Sequence, residues 1–248
     1  MEGYKKELRL FNIKKINVLA TALFAAAFLA GGLINIFVFH AVEKGYLVTG
    51  KIWLDVIIAI VTLAVGLFLH ELLHGFAAII VGKNKPKEIK FGCNLKQGVL
   101  YCHASKPTKA SAYEFVLLLP VIVTGIIPFV VSTIFANAVF IAVFAMLIAG
   151  GAGDFVMFFD VLKNCKKDTL VIDHEAAPAY YKLYKEGEEP QGFKELSEEE
   201  EKNAIIAMEK LSKTESKTSL IVKIFLIAIF LCLLVLMLFF IMKIMKFI

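Results

Sequence analysis

Arginine is almost missing from this chain. Of its 27 basic residues only Arg9 is an arginine, and the rest are lysine. Base edges in nucleic-acid grooves are read largely by the bidentate guanidinium. No basic stripe with interleaved aromatics runs through the sequence either, so nucleic acid is excluded as a partner. Cysteine is also scarce. Cys93, Cys102, Cys165 and Cys232 form no C-x-x-C pair, and a Cys93–Cys102 bridge is not expected. Cys93, Cys102 and Cys165 fall in segments assigned below to the cytoplasm, where thiols stay reduced. Zinc binding by Cys93, Cys102 and His103 is held as an alternative. Internal repeats and low-complexity tracts are absent. A cleavable signal peptide is not expected. The basic start, with Lys5, Lys6, Arg9, Lys14 and Lys15, precedes an apolar run of about 22 residues, longer than a signal core, so the run reads as a retained anchor.

Apolar residues dominate what is present. They make up 59% of the chain and its mean hydropathy is +0.76. An ordinary soluble protein has an apolar share of about 45–50%. Five runs are long enough to cross a hydrocarbon core: Val18–Phe39, Trp53–Val81, Phe115–Phe135, Ala138–Phe159 and Ile224–Met242. Orientation follows from the lysines near their ends. Residues 82–114 hold seven Lys, whereas the turn at Ala136–Asn137 holds none. The N-terminus, residues 83–111 and residues 163–219 are therefore expected on the cytoplasmic side of a multi-pass cell-membrane protein.

The expected fold is all-α and polytopic, with about five transmembrane helices and a small β-hairpin inserted after the second. The hairpin is read from Glu88-Ile89-Lys90-Phe91 and from Gln97 to Cys102, with Gly92, Asn94 and Gly98 for the turn. The expected organisation is a membrane core over residues 1–162, a cytoplasmic segment over 163–219 and a C-terminal transmembrane helix over 220–248. Within the segment, Ser197 followed by Glu198, Glu199 and Glu200 opens a capping box. An amphipathic helix over 198–212 follows.

The residues that carry chemistry are His70-Glu71-Leu72-Leu73-His74. Positions four apart share a helix face, so both imidazoles point the same way and suit one Zn²⁺. Glu71 is placed as the general base that takes the proton of a water activated there. No charged residue occurs from Val56 to Leu69. A charge at the bilayer centre costs roughly 2.5–3.5 kcal/mol on insertion scales, so ionisable groups at that depth mark function.

Catalytic zinc takes three protein ligands. Candidates for the third are Asp154, Asp160, His103, Asp173, His174 and Glu175. Depth favours Asp154. His74 lies nine residues before Lys83, and Asp154 lies nine before Lys163. Both helices run from outside to inside, so the two side chains share a level. Asp160 is roughly 9 Å closer to the cytoplasm by helical rise and is read as capping the membrane exit or orienting a ligand. Gly150-Gly151-Ala152-Gly153 would let the fourth span approach the second closely. Pro120 and Pro128 should kink the third span.

With these residues in place, the chain resembles intramembrane metalloproteases of the site-2 type. The shared features are a membrane-helix His70-Glu71-x-x-His74, a β-prone insertion after it and an Asp from a later helix. It is more closely similar to a family of small bacterial and archaeal membrane proteins described only as zincin peptidases. There the motif helix is followed by a Gly-rich segment ending in Gly-Asp, here Gly153-Asp154, and by a later stretch resembling Val171-Ile172-Asp173-His174. Site-2 proteases carry an Asn/Pro-rich stretch before an Asp-Gly pair, whereas Phe155 follows Asp154 here. The resemblance implies peptide hydrolysis with Zn²⁺ on His70, His74 and Asp154.

The expected activity is hydrolysis of membrane-protein or peptide substrates near the cytoplasmic face. Three alternatives remain. A metal-ion transporter would need more ionisable residues along the spans. A non-catalytic scaffold with a structural metal would not need Glu71. A prenyl-protein protease would need a second Glu-bearing metal helix.

Overall fold

The computed structural model describes residues 3–38, 48–94, 99–135, 137–174 and 177–214. The run Ile224–Met242 and Glu175 lie outside these residues. The chain divides into two units, Met1–Asn203 and Ala204–Ile248, and both sheets and every candidate site residue lie in the first.

The order of elements is β1 (Tyr4–Leu10), α1 (Ile13–Phe37), α2 (Ile52–Ile80), β2 (Ile89–Asn94), β3 (Val99–Ala104), β4 (Thr108–Lys109) and α3 (Ala110–Pro120). A π-helical segment, Val121–Ile126, leads into α4 (Ile127–Ile134). Then come α5 (Ala138–Gly150), α6 (Ala152–Asn164), β5 (Leu170–Asp173), β6 (Ala179–Lys185) and α7 (Glu198–Thr214).

Three helical stretches are long and apolar enough to cross a membrane: Ile13–Phe37, Ile52–Ile80 and Ala110–Ile134. The fourth predicted span is not one rod. It bends by 43° between α5 and α6 and counts as a span only if the bent pair is taken together. Helix starts follow their caps. The Asn12 side chain accepts the Lys14 and Lys15 backbone N–H groups, and that of Asn137 accepts Phe140 N–H. Many large apolar side chains point outward, among them Phe37, Ile60, Phe68 and Phe135.

The all-α expectation is wrong. Two antiparallel sheets accompany the helices, one four-stranded in the order β1-β6-β5-β4 and one the β2–β3 hairpin. The hairpin was expected; the larger sheet was not. β1 pairs with β6 from Tyr4↔Lys185 to Leu10↔Ala179, and β5 pairs with β6 from Leu170↔Leu183 to Asp173↔Tyr180. The physical reason is separation along the chain. The partner of Tyr4–Leu10 lies some 170 residues away, so its charges read locally as a membrane flank.

This sheet has its own apolar core against the helices. Val171 and Tyr180 from the sheet, Tyr113 and Leu117 from α3 and Val161 from α6 form one buried cluster. Arg9 fastens β1 to α6: its Nη2 and Nε donate to Asp160 at 2.8 and 3.1 Å, and Tyr180 Oη donates to the same carboxylate at 2.7 Å. The hairpin docks on α2 where Gly75 leaves room. A Cβ there would lie 2.6 Å from Phe91 Cζ and 3.2 Å from Ile89 Cγ2.

Candidate metal centre

His70 and His74 lie on one face of α2, their ring centroids 5.0 Å apart. Each imidazole is oriented through Nδ1. His74 Nδ1 is 2.9 Å from the Val116 carbonyl on α3. A carbonyl only accepts, so Nδ1 carries the proton and Nε2 is left with its lone pair. His70 Nδ1 is 3.2 Å from Thr124 Oγ1. That hydroxyl donates its own hydrogen to the Pro120 carbonyl at 2.7 Å, so it accepts from His70. Both Nε2 atoms then face one group, the Asp154 carboxylate of α6. The distances are 3.0 Å from His70 to Oδ2 and 3.4 Å from His74 to Oδ1.

Two Nε2 atoms and a carboxylate turned toward one another are held together by a cation between them, either a metal ion or a proton on Nε2. With bonds of about 2.0–2.1 Å, tetrahedral ligand atoms lie about 3.3 Å apart. The observed separations match that spacing. Two imidazoles and one carboxylate are also a donor set that suits Zn²⁺, so the residues fit the metal.

Glu71 has a different position. One of its carboxylate oxygens and the nitrogens of both histidines lie within 4.8 Å of one another. Asp154, however, is the carboxylate in direct contact with both Nε2 atoms. Glu71 is turned toward the hairpin, where the Cys102 backbone N–H faces it. The register explains this. Ser105 N–H bonds to Glu88 O across the hairpin, so alternate residues His103 and Tyr101 also point toward β2. Cys102 and Ala104 point outward, and the free edge of β3 therefore runs past Glu71.

The helix that orients both histidines is irregular for a reason. Pro128 has no N–H to offer the Thr124 carbonyl, and the freed turn opens into the Val121–Ile126 π-segment, where Ile127 N–H reaches back to Ile122 O. The small residues of the fourth span divide between two neighbours: Gly150 faces α2, where a Cβ would lie 3.8 Å from Leu67 Cδ2, and Gly151 faces this segment. A Cβ on Gly151 would meet Val121 Cγ2 at 2.5 Å, whereas one on Gly153 would meet nothing.

The remaining sequence candidates lie elsewhere. Asp160 is occupied by Arg9, Tyr180 and Asn164. His174 closes the β5–β6 turn, its Nδ1 accepting Ala177 N–H at 3.0 Å and its Nε2 donating to Glu201 at 3.2 Å. Cys102 is a protonated thiol at neutral pH: burial pushes it up to about 12, and the nearby Glu71 and Asp173 carboxylates add to the shift. The Cys93 side chain lies outside those described. His103 is buried. The cross-strand partners of Ile89 and Phe91 are Ala104 and Cys102, so His103 projects from the opposite face, away from α2. Asp173 accepts a short hydrogen bond from Tyr113 Oη. Burial raises its carboxyl above the usual range, and the Tyr113 bond and the His103 charge oppose that rise.

Sequence reasoning missed Thr124, the Val116 carbonyl and Tyr113. A backbone carbonyl has no sequence signal. Thr124 could have been suspected as the hydroxyl four residues after Pro120 and four before Pro128, where a helix must re-satisfy its backbone.

No curated protein and no solved structure matches this chain. Residues 63–170, less than half of it, match a family model described as "Putative zincin peptidase". That segment begins in α2 before the motif and ends at the first residue of β5. Over the stretch that holds His70, Glu71, His74 and Asp154, the chain is similar to zincin peptidases.

Proposed function

We propose that this chain is a membrane-embedded zinc metallopeptidase that cuts membrane proteins or peptides near the cytoplasmic face. The observation that carries the reading is the convergence of two Nε2 lone pairs, fixed by Val116 O and Thr124 Oγ1, on the Asp154 carboxylate with Glu71 alongside. His70, His74 and Asp154 would hold the metal. Zn²⁺ bound there supplies Lewis acidity, which lowers the pKa of water toward ~7 and polarises a scissile carbonyl. Glu71 takes the proton of the attacking water and passes it to the departing nitrogen. The outward edge of β3 offers backbone groups to an extended peptide beside Glu71, by strand addition.

The four-stranded sheet supports the sidedness. β1 precedes the first span, β4 follows the second, and β5 and β6 follow the bent pair. Sharing one sheet requires them to share one side of the bilayer, and the lysine excess makes that side cytoplasmic. A cysteine introduced at Glu199 should be labelled from the cytoplasmic face. Labelling from the outer face alone would reverse the assignment.

The deciding experiment is Glu71→Gln. Gln keeps the size and hydrogen bonding of Glu but cannot take a proton at neutral pH. The variant should fold and hold zinc, yet lose cleavage of membrane substrates by at least ~10²-fold. A metal-ion transporter or a scaffold would tolerate the change, and full activity of the variant would refute the peptidase mechanism.

A further inference from the structure

Asp173 is a carboxylate that the mechanism above leaves unused, and its placement is specific. Tyr113, which donates to it, precedes Val116 by three residues on α3, and Val116 O holds His74. Tyr113 Oη also lies 3.9 Å from Met157 Sδ, three residues beyond Asp154 on α6. Three residues are about 4.5 Å along a helix. The Tyr113–Asp173 pair therefore forms a second polar layer one turn from the metal ligands, on the side of the sheets.

That layer opens into a cleft of about 400 Å³, lined among others by Asp173, His103, Ser105, Tyr181 and Lys6. The cleft grades from buried His103 to exposed Lys6. Lys6 Nζ lies over the Tyr181 ring, 5.5 Å from its centroid. The ladder between β4 and β5 ends at Thr108↔Val171, so Asp173 keeps a strand partner on β6 only.

We propose that Asp173 binds the ammonium group created at the new N-terminus of the departing peptide, and that the cleft holds this product. The inference rests on the hydrolytic reading. Water gives its oxygen to the acyl carbon as the C–N bond breaks. Both of its protons end on nitrogen, so an amide becomes a carboxylate and an ammonium ion. Glu71 carries the first of these protons. The new cation leaves toward the layer where Asp173 offers the opposite charge, steadied at Oδ1 by Tyr113. A hydrogen-bonded carboxylate in a partly desolvated cleft attracts a primary ammonium strongly.

The test is calorimetric binding of Leu-Gly-Gly and of its N-acetyl form to the full-length protein in detergent, zinc-loaded and chelator-stripped. The free amine should bind at least tenfold more tightly in both states. Asp173→Asn, which still accepts the Tyr113 hydrogen bond, should erase the difference with zinc stoichiometry unchanged. Tyr113→Phe should retain a preference, since the charge remains. Equal binding of the acetylated peptide, or a preference that survives in Asp173→Asn, would overturn the inference. So would a preference that vanishes with the zinc, because the amine would then be a metal ligand. Binding is read without turnover. Failure of Glu71→Gln to lose cleavage therefore counts against the peptidase reading, and failure of the amine preference counts against Asp173.

Discussion

Thr124→Val exchanges a hydroxyl for a methyl of nearly the same size at a position 6% exposed. The substitution leaves His70 Nδ1–H without a partner and takes from the Pro120 carbonyl its side-chain donor. A buried donor or acceptor left unsatisfied costs about 1–3 kcal/mol. The His70 share of that cost falls on the metal site. With its Nδ1 partner gone, His70 is free to carry its proton on Nε2, where Asp154 accepts it at 3.0 Å. Metal must then displace that proton before it can bind. Loss of such an orienting partner typically costs 10–100-fold in metal affinity, which is about 1.4–2.8 kcal/mol at 1.4 kcal/mol per tenfold. Thr124→Val should thus raise the zinc dissociation constant 10–100-fold in competition with a chelator of known affinity. Thr124→Ser keeps the hydroxyl and should stay within about threefold of the parent. A Val variant within threefold of the parent, or a Ser variant as weak as Val, would refute the argument that the hydroxyl fixes the His70 tautomer.

The two carboxylates of α6 should separate cleanly. Asp154→Ala should lose most of its zinc, read by metal analysis of the purified protein, because two imidazoles alone do not make a three-ligand site. Asp160→Ala should keep about one zinc per chain and lose stability instead, since Arg9 and the fully buried Tyr180 hydroxyl lose their shared partner. Losing a hydrogen bond to a charged group costs about 1.5–3 kcal/mol, visible in a thermal melt. Zinc loss in the Asp160 variant with Asp154→Ala unaffected would exchange their roles.

The parts of this molecule legible in its sequence are those governed by local periodicity. The motif spacing, the three apolar helices and the β2–β3 hairpin each follow from residues within one turn or one strand pair of each other. The level of Asp154 with His74 was reached by counting residues back from Lys163 and Lys83. The four-stranded sheet was not legible. Tyr4–Leu10 finds its partner only in Ala179–Lys185, and three membrane-length helical stretches and the bent α5–α6 pair intervene. The alternation in β6 is also blurred, because Tyr180 and Tyr181 are consecutive. Tyr180 faces the core, fully buried, and Tyr181 reaches Glu201. The break at Gly151 was hidden for the opposite reason. An uninterrupted apolar run looks like one helix, and only the structure shows the 43° bend and the approach of Val121 that leaves no room for a Cβ at Gly151.

The sheet that the sequence concealed explains how the site holds its geometry. A metal centre with ligands on α2 and α6, and with His74 held by a carbonyl of α3, needs those helices fixed to within about half an ångström. In the membrane-embedded reading proposed above, lipid provides little for this, because helices in hydrocarbon gain no hydrophobic drive toward one another. On that reading the four-stranded sheet supplies what the bilayer would not. It buries Val171 and Tyr180 against Tyr113 and Leu117 of α3 and Val161 of α6, and it pins α6 again through Arg9 and Asp160. The hairpin and α3 meet α2 through a second cluster, in which Ala77, Ala78 and Val116 pack with Ile89 and Ala104. The helices that carry His74, Val116 and Asp154 are therefore clamped within a few turns of the metal ligands by packing in which water-side strands take part, where the hydrophobic effect operates. Val116 belongs to the second cluster and holds His74 through its carbonyl, so the same residue joins that packing to the imidazole that would bind the metal.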